Sequence, residues 1–301
     1  MYCIETKNLS HRFSEKEVVL NNIELQVPEG SIYGFLGPNG AGKTTTLKLI
    51  LGLLKKQEGS ISIFGKPFDK HRIEILKQVG SLIESPSLYT HLTAKENLKI
   101  WQKVYQCPMS RIDEVLAIVG LSETGKKKAG KFSLGMKQRL SIAIALLHCP
   151  TLLILDEPTN GLDPSGILEI RELLTKINKE NGITIIISSH LLAEIEKMVT
   201  HVGIINKGEI LFQGTLSELQ EQQTKTSSIV FETNNNTQTN QILQSKGLQS
   251  SIKTEQVMVP FTDRKIIAES VAALVNANIE VYQVSTLKND LESIFIDLTK
   301  N

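Results

Sequence analysis

The sequence predicts an α/β fold built around a phosphate-binding loop, followed by a smaller α+β domain. Three observations carry that expectation. Residues Gly37-Pro38-Asn39-Gly40-Ala41-Gly42-Lys43-Thr44 satisfy G-x-x-x-x-G-K-[ST] at every specified position. Two continuous apolar runs, residues 151–155 and 183–187, end in Asp156-Glu157-Pro158 and Ser188-Ser189-His190. Such runs read as strands buried on both faces, with polar groups at the carboxyl end where ligands collect. Near Leu219 the composition turns polar, and a second series of short elements begins.

The 301 residues accommodate a large domain and a smaller one. Hydrophobic content of 41% and charged content of 22% fit a soluble globular protein. Lys plus Arg number 33 against 32 for Asp plus Glu, so there is no basic excess, and no nucleic-acid partner is expected. Cys3, Cys107 and Cys149 are far apart and form no CxxC pair, which fits a reducing compartment better than a disulfide framework or zinc site. No stretch approaches the roughly 18 apolar residues of a membrane span, and residues 1–7 hold no apolar signal region. The expectation is a cytosolic chain that works at a membrane only through a partner.

Taken in order, residues 2–9 and 18–27 alternate as strands of an antiparallel β part. Between them lies His11-Arg12-Phe13-Ser14-Glu15. Phe13 there is either a half-buried loop side chain or a platform on which a purine base stacks. Residues 31–36 form a strand and residues 45–51 open a helix, the context the glycine loop requires. Its glycines let backbone N–H groups face phosphate oxygens, and the helix start favours anionic charge. Lys43 brings a point charge for the β- and γ-phosphates, and the Thr44 hydroxyl a ligand for Mg²⁺. Residues 59–65 are a strand and turn, and 79–83 a third apolar segment.

Thr93-Ala94-Lys95-Glu96 is a capping box that opens a helical pattern running to Val119. Residues 132–147 form a further helix, so that about 87–150 read as a helical subdomain. Residues 202–205 and 209–212 make a hairpin across Lys207-Gly208. The first domain spans 1–219 and an accessory domain 220–301, opening on a polar linker at 220–225. Its order is strand (228–233), helix (237–246), strands (248–254, 256–261), helix (264–277), strand (279–285) and helix (287–299). Up to the last strand this is the β-α-β-β-α-β series of a ferredoxin-like domain.

A nucleotide hydrolase that holds its phosphates still needs a metal ligand, a group to orient water and a sensor of the γ-phosphate. Asp156 at a buried strand end is a natural magnesium ligand. Glu157, one residue on, faces the other side and is placed to act as base. In isolation an Asp-Glu pair is equally a turn initiator, and a lone His190 a structural residue.

Together these residues resemble the nucleotide-binding subunit of an ABC transporter, a P-loop NTPase, over residues 2–219. Residues 152–158 are similar to that family's Walker B segment and catalytic glutamate, Gly161-Leu162-Asp163-Pro164 to its D-loop, and His190 to its switch histidine. Phe13 falls where the family stacks adenine. The resemblance implies ATP and Mg²⁺ as ligands, with residues 37 to 45 (Gly37 through Thr44, then Thr45) on the nucleotide.

Two departures stand out. The usual Leu-Ser-Gly-Gly-Gln signature reads Phe132-Ser133-Leu134-Gly135-Met136, keeping the Ser133 hydroxyl and the Gly135 N–H that reach a γ-phosphate. The Q-loop glutamine is replaced by Glu84, in Leu82-Ile83-Glu84-Ser85-Pro86. A full charge about 4 Å from the metal, at an effective dielectric near 20, is worth about 4 kcal/mol per unit of opposite charge before desolvation. Glu84 is thereby implied as a metal-linked catalytic group. With the tail 287–295, these departures resemble the lantibiotic-immunity and bacitracin-resistance branch.

The resemblance implies a homodimer sandwiching two ATP molecules, in which Ser133, Gly135 and Asp163 of one copy complete the site of the other. It also implies a polytopic membrane permease that handles a peptide antibiotic, with this chain peripheral on the cytoplasmic face. The alternatives are an ABC ATPase exporting another substrate or acting in DNA repair or on ribosomes, and a kinase using the loop alone.

Overall fold

The computed structural model describes residues 1–14, 17–84, 88–253 and 255–287. The chain divides into two compact units, Met1–Leu216 and one that begins at Ser217.

The first unit holds two sheets. In one, the long strand Tyr2–Ser14 pairs antiparallel with Glu17–Ile23, Gln26–Pro28 and Glu58–Ile63. Phe13 thus lies within a strand rather than in the loop expected between two shorter ones. Cross-strand pairing decides this: Arg12 sits opposite Val18 and its guanidinium lies 3.1 Å from Glu58. Arg12, Phe13 and Ser14 face water from a ribbon extended by its partners, while His11 is buried.

The other sheet has six strands in the order Glu209–Thr215, His201–Asn206, Ile32–Leu36, Thr184–Ser189, Leu152–Asp156, Val79–Leu82. All neighbours are parallel except the Glu209–Thr215 edge, which closes the expected hairpin. Every residue of Leu152–Asp156 and Thr184–Ser189 is buried, as their apolar runs demand. The helix Lys43–Ile50 contributes Leu47 and Ile50 to a core shared with Ile4, Leu9, Leu20 and Ile23 of the antiparallel sheet and Phe35, Ile154 and Ile205 of the parallel one.

The capping box at Thr93 forms as expected, with Thr93 Oγ1 accepting from Glu96 N and Glu96 accepting from Thr93 N. The helical pattern that follows is two helices, Ala94–Tyr105 and Ser110–Ile118. Gln106 adopts a left-handed conformation (φ 55°), and Pro108 cannot continue the hydrogen-bond ladder. Leu134–Leu146 and Pro164–Asn181 are the next long helices, each with a polar N-cap, Ser133 and Asp163.

Residues 220–225, expected as a linker, fall in the helix Leu216–Thr226. Their Gln, Glu and Lys content explains the difference, because these residues are good helix formers even without an apolar stripe. Beyond it come Ser228–Thr233, helix Asn236–Ser245, strands Ser251–Lys253 and Gln256–Pro260, helix Arg264–Asn276 and strand Val281–Leu287. Their sheet is antiparallel throughout, in the order Ser251–Lys253, Gln256–Pro260, Ser228–Thr233, Val281–Leu287. Ile229, Phe231, Leu243, Val257 and Leu274 form its core. The helix expected at 287–299, most of the 287–295 tail and the Ser85-Pro86 portion of the Glu84 segment lie outside the described residues. No helix among the described residues is long and apolar enough to cross a membrane.

Candidate active site

Three adjacent parallel strands deliver the site. Leu36 pairs with Ser189, and Asp156 with Ser188. The phosphate loop, the Asp156-Glu157 pair and His190 therefore emerge side by side at the carboxyl edge of one sheet, where neighbouring strands are about 4.8 Å apart. A cleft of about 440 Å³ opens there, lined by Phe13, Glu17, Val19, Pro38, Asn39, Gly40, Gly42, Lys43, Thr44, Thr45, Glu157, Asn160 and His190.

The loop glycines do different jobs. Gly42 caps the helix Lys43–Ile50 at φ 109°, and a Cβ there would lie 2.5 Å from Leu20. Gly37 is a matter of space: a Cβ would sit 2.3 Å from the Ile205 carbonyl oxygen, so only glycine lets strand and loop pass. Behind the loop, Ala41 is buried and its carbonyl accepts from Gly208 N.

Lys43 turns its ammonium into the loop it ends. Its Nζ donates to the Gly37 carbonyl at 2.7 Å and lies 3.2 Å from Glu157 Oε1. Glu157 Oε2 lies 2.8 Å from His190 Nδ1. One carboxylate thus bridges the cation of the phosphate loop and the imidazole of the third strand. Glu157 sits at φ 49°, a costly conformation outside glycine that is typical of residues held for function.

Asp156, 6% exposed, accepts from Thr44 Oγ1 at 2.9 Å and from Ser188 Oγ at 2.6 Å. Among the described residues it forms no ion pair. A buried carboxylate partnered only by hydroxyls is short of positive charge. Together with the Thr44 hydroxyl it offers hard oxygen donors beside a phosphate cradle, which fits Mg²⁺. Ser188 also accepts from Glu157 N at 2.8 Å and so ties both carboxylates together. Sequence reasoning assigned Ser188 no role; a serine ending an otherwise apolar buried strand is the signal that marks it. Asn160 and Glu17 carried no comparable signal.

Four of the expected site residues are elsewhere in this chain. Ser133 caps its own helix by accepting from Met136 N, and Asp163 caps the next by accepting from Gly166 N. Gly135 lies on the same surface as the Gly161-Leu162 turn, where Leu134 is 46% exposed. Glu84 does not line the cleft; its carboxylate lies 2.5 Å from Lys48 Nζ.

This chain is similar to known proteins. The profile of the ABC transporter family matches residues 20–160. The bacitracin transport ATP-binding protein BcrA of Bacillus licheniformis is 52% identical over 223 residues, covering 74% of this chain and 72% of that protein. The lantibiotic transport ATP-binding protein SrtF of Streptococcus pyogenes is 43% identical over 210 residues, covering 70% of this chain and 90% of that protein. A dimeric ATP-binding cassette in a post-hydrolysis state, bound to ADP and phosphate, superposes with a TM-score of 0.63 at 28% identity, covering 71% of this chain and 98% of that one. The strand order, the phosphate loop and these likenesses agree: the chain belongs to the ATP-binding proteins of ABC transporters, and it is an ATPase.

Proposed function

We propose that this chain powers export, or extraction from the membrane, of a peptide antibiotic through a separate polytopic membrane subunit. The observation that carries the catalytic part is the Glu157 carboxylate, held between Lys43 and His190 at the mouth of the cleft. In this reading Phe13, 58% exposed and edge-on to His11, stacks on adenine. Residues 37–45 wrap the phosphates, and Lys43 leaves Glu157 for their β- and γ-oxygens. Glu157, relieved of its cation, orients and deprotonates the attacking water, while His190 contacts the γ-phosphate. Thr44 and Asp156 would hold Mg²⁺, which when bound would neutralise charge on the triphosphate.

Ser133, Gly135 and Asp163 lie away from their own cleft, which supports a site completed by a second copy. Two chains then sandwich two ATP molecules, and hydrolysis lets them part. Residues 228–287 form the body of a ferredoxin-like accessory domain, a reading supported by the antiparallel sheet with β-α-β-β-α-β order.

The substrate class rests on the likeness to bacitracin and lantibiotic transport proteins. Expressing this chain with a candidate polytopic membrane subunit should raise the tolerance of a sensitive cell to bacitracin or a lantibiotic several-fold. The Lys43→Ala chain should give no rise. Tolerance equal in both would remove the transport reading.

A groove of about 350 Å³ next to the Glu84 segment supports docking of that membrane subunit. Ile83, Leu88, Trp101, Tyr105 and Ile144 line it. The buried indole N–H of Trp101 has no acceptor among the described residues, and a cytoplasmic segment of the membrane subunit would supply one. Trp101→Ala should weaken recruitment to membranes carrying that subunit about tenfold, the scale of an aromatic anchor. ATP binding by the purified chain should stay unchanged. Equal recruitment of both proteins in a flotation assay would exclude the groove.

A further inference from the structure

The pairing of Glu84 with Lys48 has no part in the reading above. Lys48 stands four residues after Thr44 in the helix Lys43–Ile50, so both side chains share one helical face. Thr44 donates to Asp156, which marks where the magnesium donors converge. Glu84 follows the strand Val79–Leu82, in which Leu82 pairs with Leu155. Asp156 is the next residue on that neighbouring strand. Glu84, two residues past that strand, therefore leaves the sheet at the same edge as Asp156, yet its charge is matched by a lysine one turn along the phosphate-loop helix.

Two features make that pairing exchangeable. The Glu84 side chain is 65% exposed and that of Lys48 29%, and exposed ion pairs are weak. A dication at a similar distance attracts a carboxylate twice as strongly as an ammonium does. Glu84 also has φ 64°, a conformation uncommon outside glycine, which sets the direction in which its side chain leaves the strand end.

We propose that Lys48 is a positioning residue, the counter-ion that holds Glu84 off the magnesium position until Mg²⁺ and a nucleoside triphosphate are both bound. This rests on the reading of Thr44 and Asp156 as magnesium donors beside an ATP site. Lys48 serves two ends. It masks a negative charge that would otherwise repel an incoming triphosphate, and it gives that charge up when the metal arrives. Removing Lys48 then has two consequences of opposite sign: ATP without metal binds more weakly, and less Mg²⁺ is needed to recruit Glu84.

The test is fluorescence binding of a methylanthraniloyl-ATP analogue to the full chain, in EDTA and across a magnesium titration. Lys48→Met should weaken metal-free binding about three- to fivefold, the scale of an exposed ion pair. It should lower the half-saturating Mg²⁺ concentration by a similar factor. Lys48→Arg should behave as the parent, which separates loss of charge from loss of fold. In a Glu84→Gln background, Lys48→Met should change neither quantity. Equal shifts with and without Glu84 would show that Lys48 acts on the nucleotide directly and would overturn the proposal, as would no shift in Lys48→Met. A parent chain that binds no nucleotide in either condition would overturn the active-site reading and this proposal with it; normal binding with additive mutants would overturn this proposal alone.

Discussion

ATP turnover by Glu157→Gln should fall about 10²- to 10⁴-fold, the usual contribution of a general base, while the variant binds ATP more tightly than the parent. Both effects follow from the same two contacts. The Glu157 carboxylate lies 3.2 Å from Lys43 Nζ and 2.8 Å from His190 Nδ1. Binding must pull Lys43 from that carboxylate, and the competition reduces affinity. An amide keeps an acceptor for His190 but offers Lys43 no charge, so the competition lapses and the ammonium is free for phosphate. The same amide is not basic enough to take a proton from water. With MgATP the variant should accumulate as a dimer, since the nucleotide sealing two copies is not consumed. Light scattering should show twice the parent mass; a persistent monomer at high protein concentration would sink the proposed sandwich.

How much of this was legible in the sequence depends on whether a local signal existed. The phosphate loop carries its chemistry in consecutive residues, and the structure gathers Pro38, Gly40, Gly42, Lys43 and Thr44 around one cleft. Strand ends were legible because Leu152–Asp156 and Thr184–Ser189 are buried throughout and so apolar until the last residues. What failed was whatever depends on a partner distant in the chain. Phe13 reads as loop because its neighbours are polar, yet its strand is held by Val18, Gln57 and Glu58. Residues 220–225 read as linker because they lack apolar anchors, although a helix asks only for backbone propensity there. The Lys48 partner of Glu84 was not legible, because it lies 36 residues away in the chain and carries no motif. Ser188 was visible but uninterpretable until register placed it opposite Asp156.

Lys43→Ala should weaken Mg·ATP retention by about two orders of magnitude, the scale of a pair of charge-assisted hydrogen bonds in a site shielded from water. The ammonium is only 5% exposed and already donates to a loop carbonyl, so it is pre-positioned rather than recruited from solvent. Its loss also leaves the Gly37 carbonyl and one Glu157 oxygen without their present partner. That should cost roughly 1–3 kcal/mol of stability, readable as a lower thermal midpoint without nucleotide. The two effects separate on adding Mg·ATP: the parent midpoint should rise through linkage to a bound ligand, and that of the variant should not. Lys43→Arg distinguishes charge from geometry. A planar guanidinium is bulkier than the ammonium the loop encloses, so it should restore the charge without restoring retention. If arginine did rescue binding, the phosphates would be held by charge alone, and the close fit of the Gly37–Thr44 turn around Nζ would lose its role. If alanine retained Mg·ATP like the parent, the cleft between the three strand ends would not be where this ATPase holds its nucleotide.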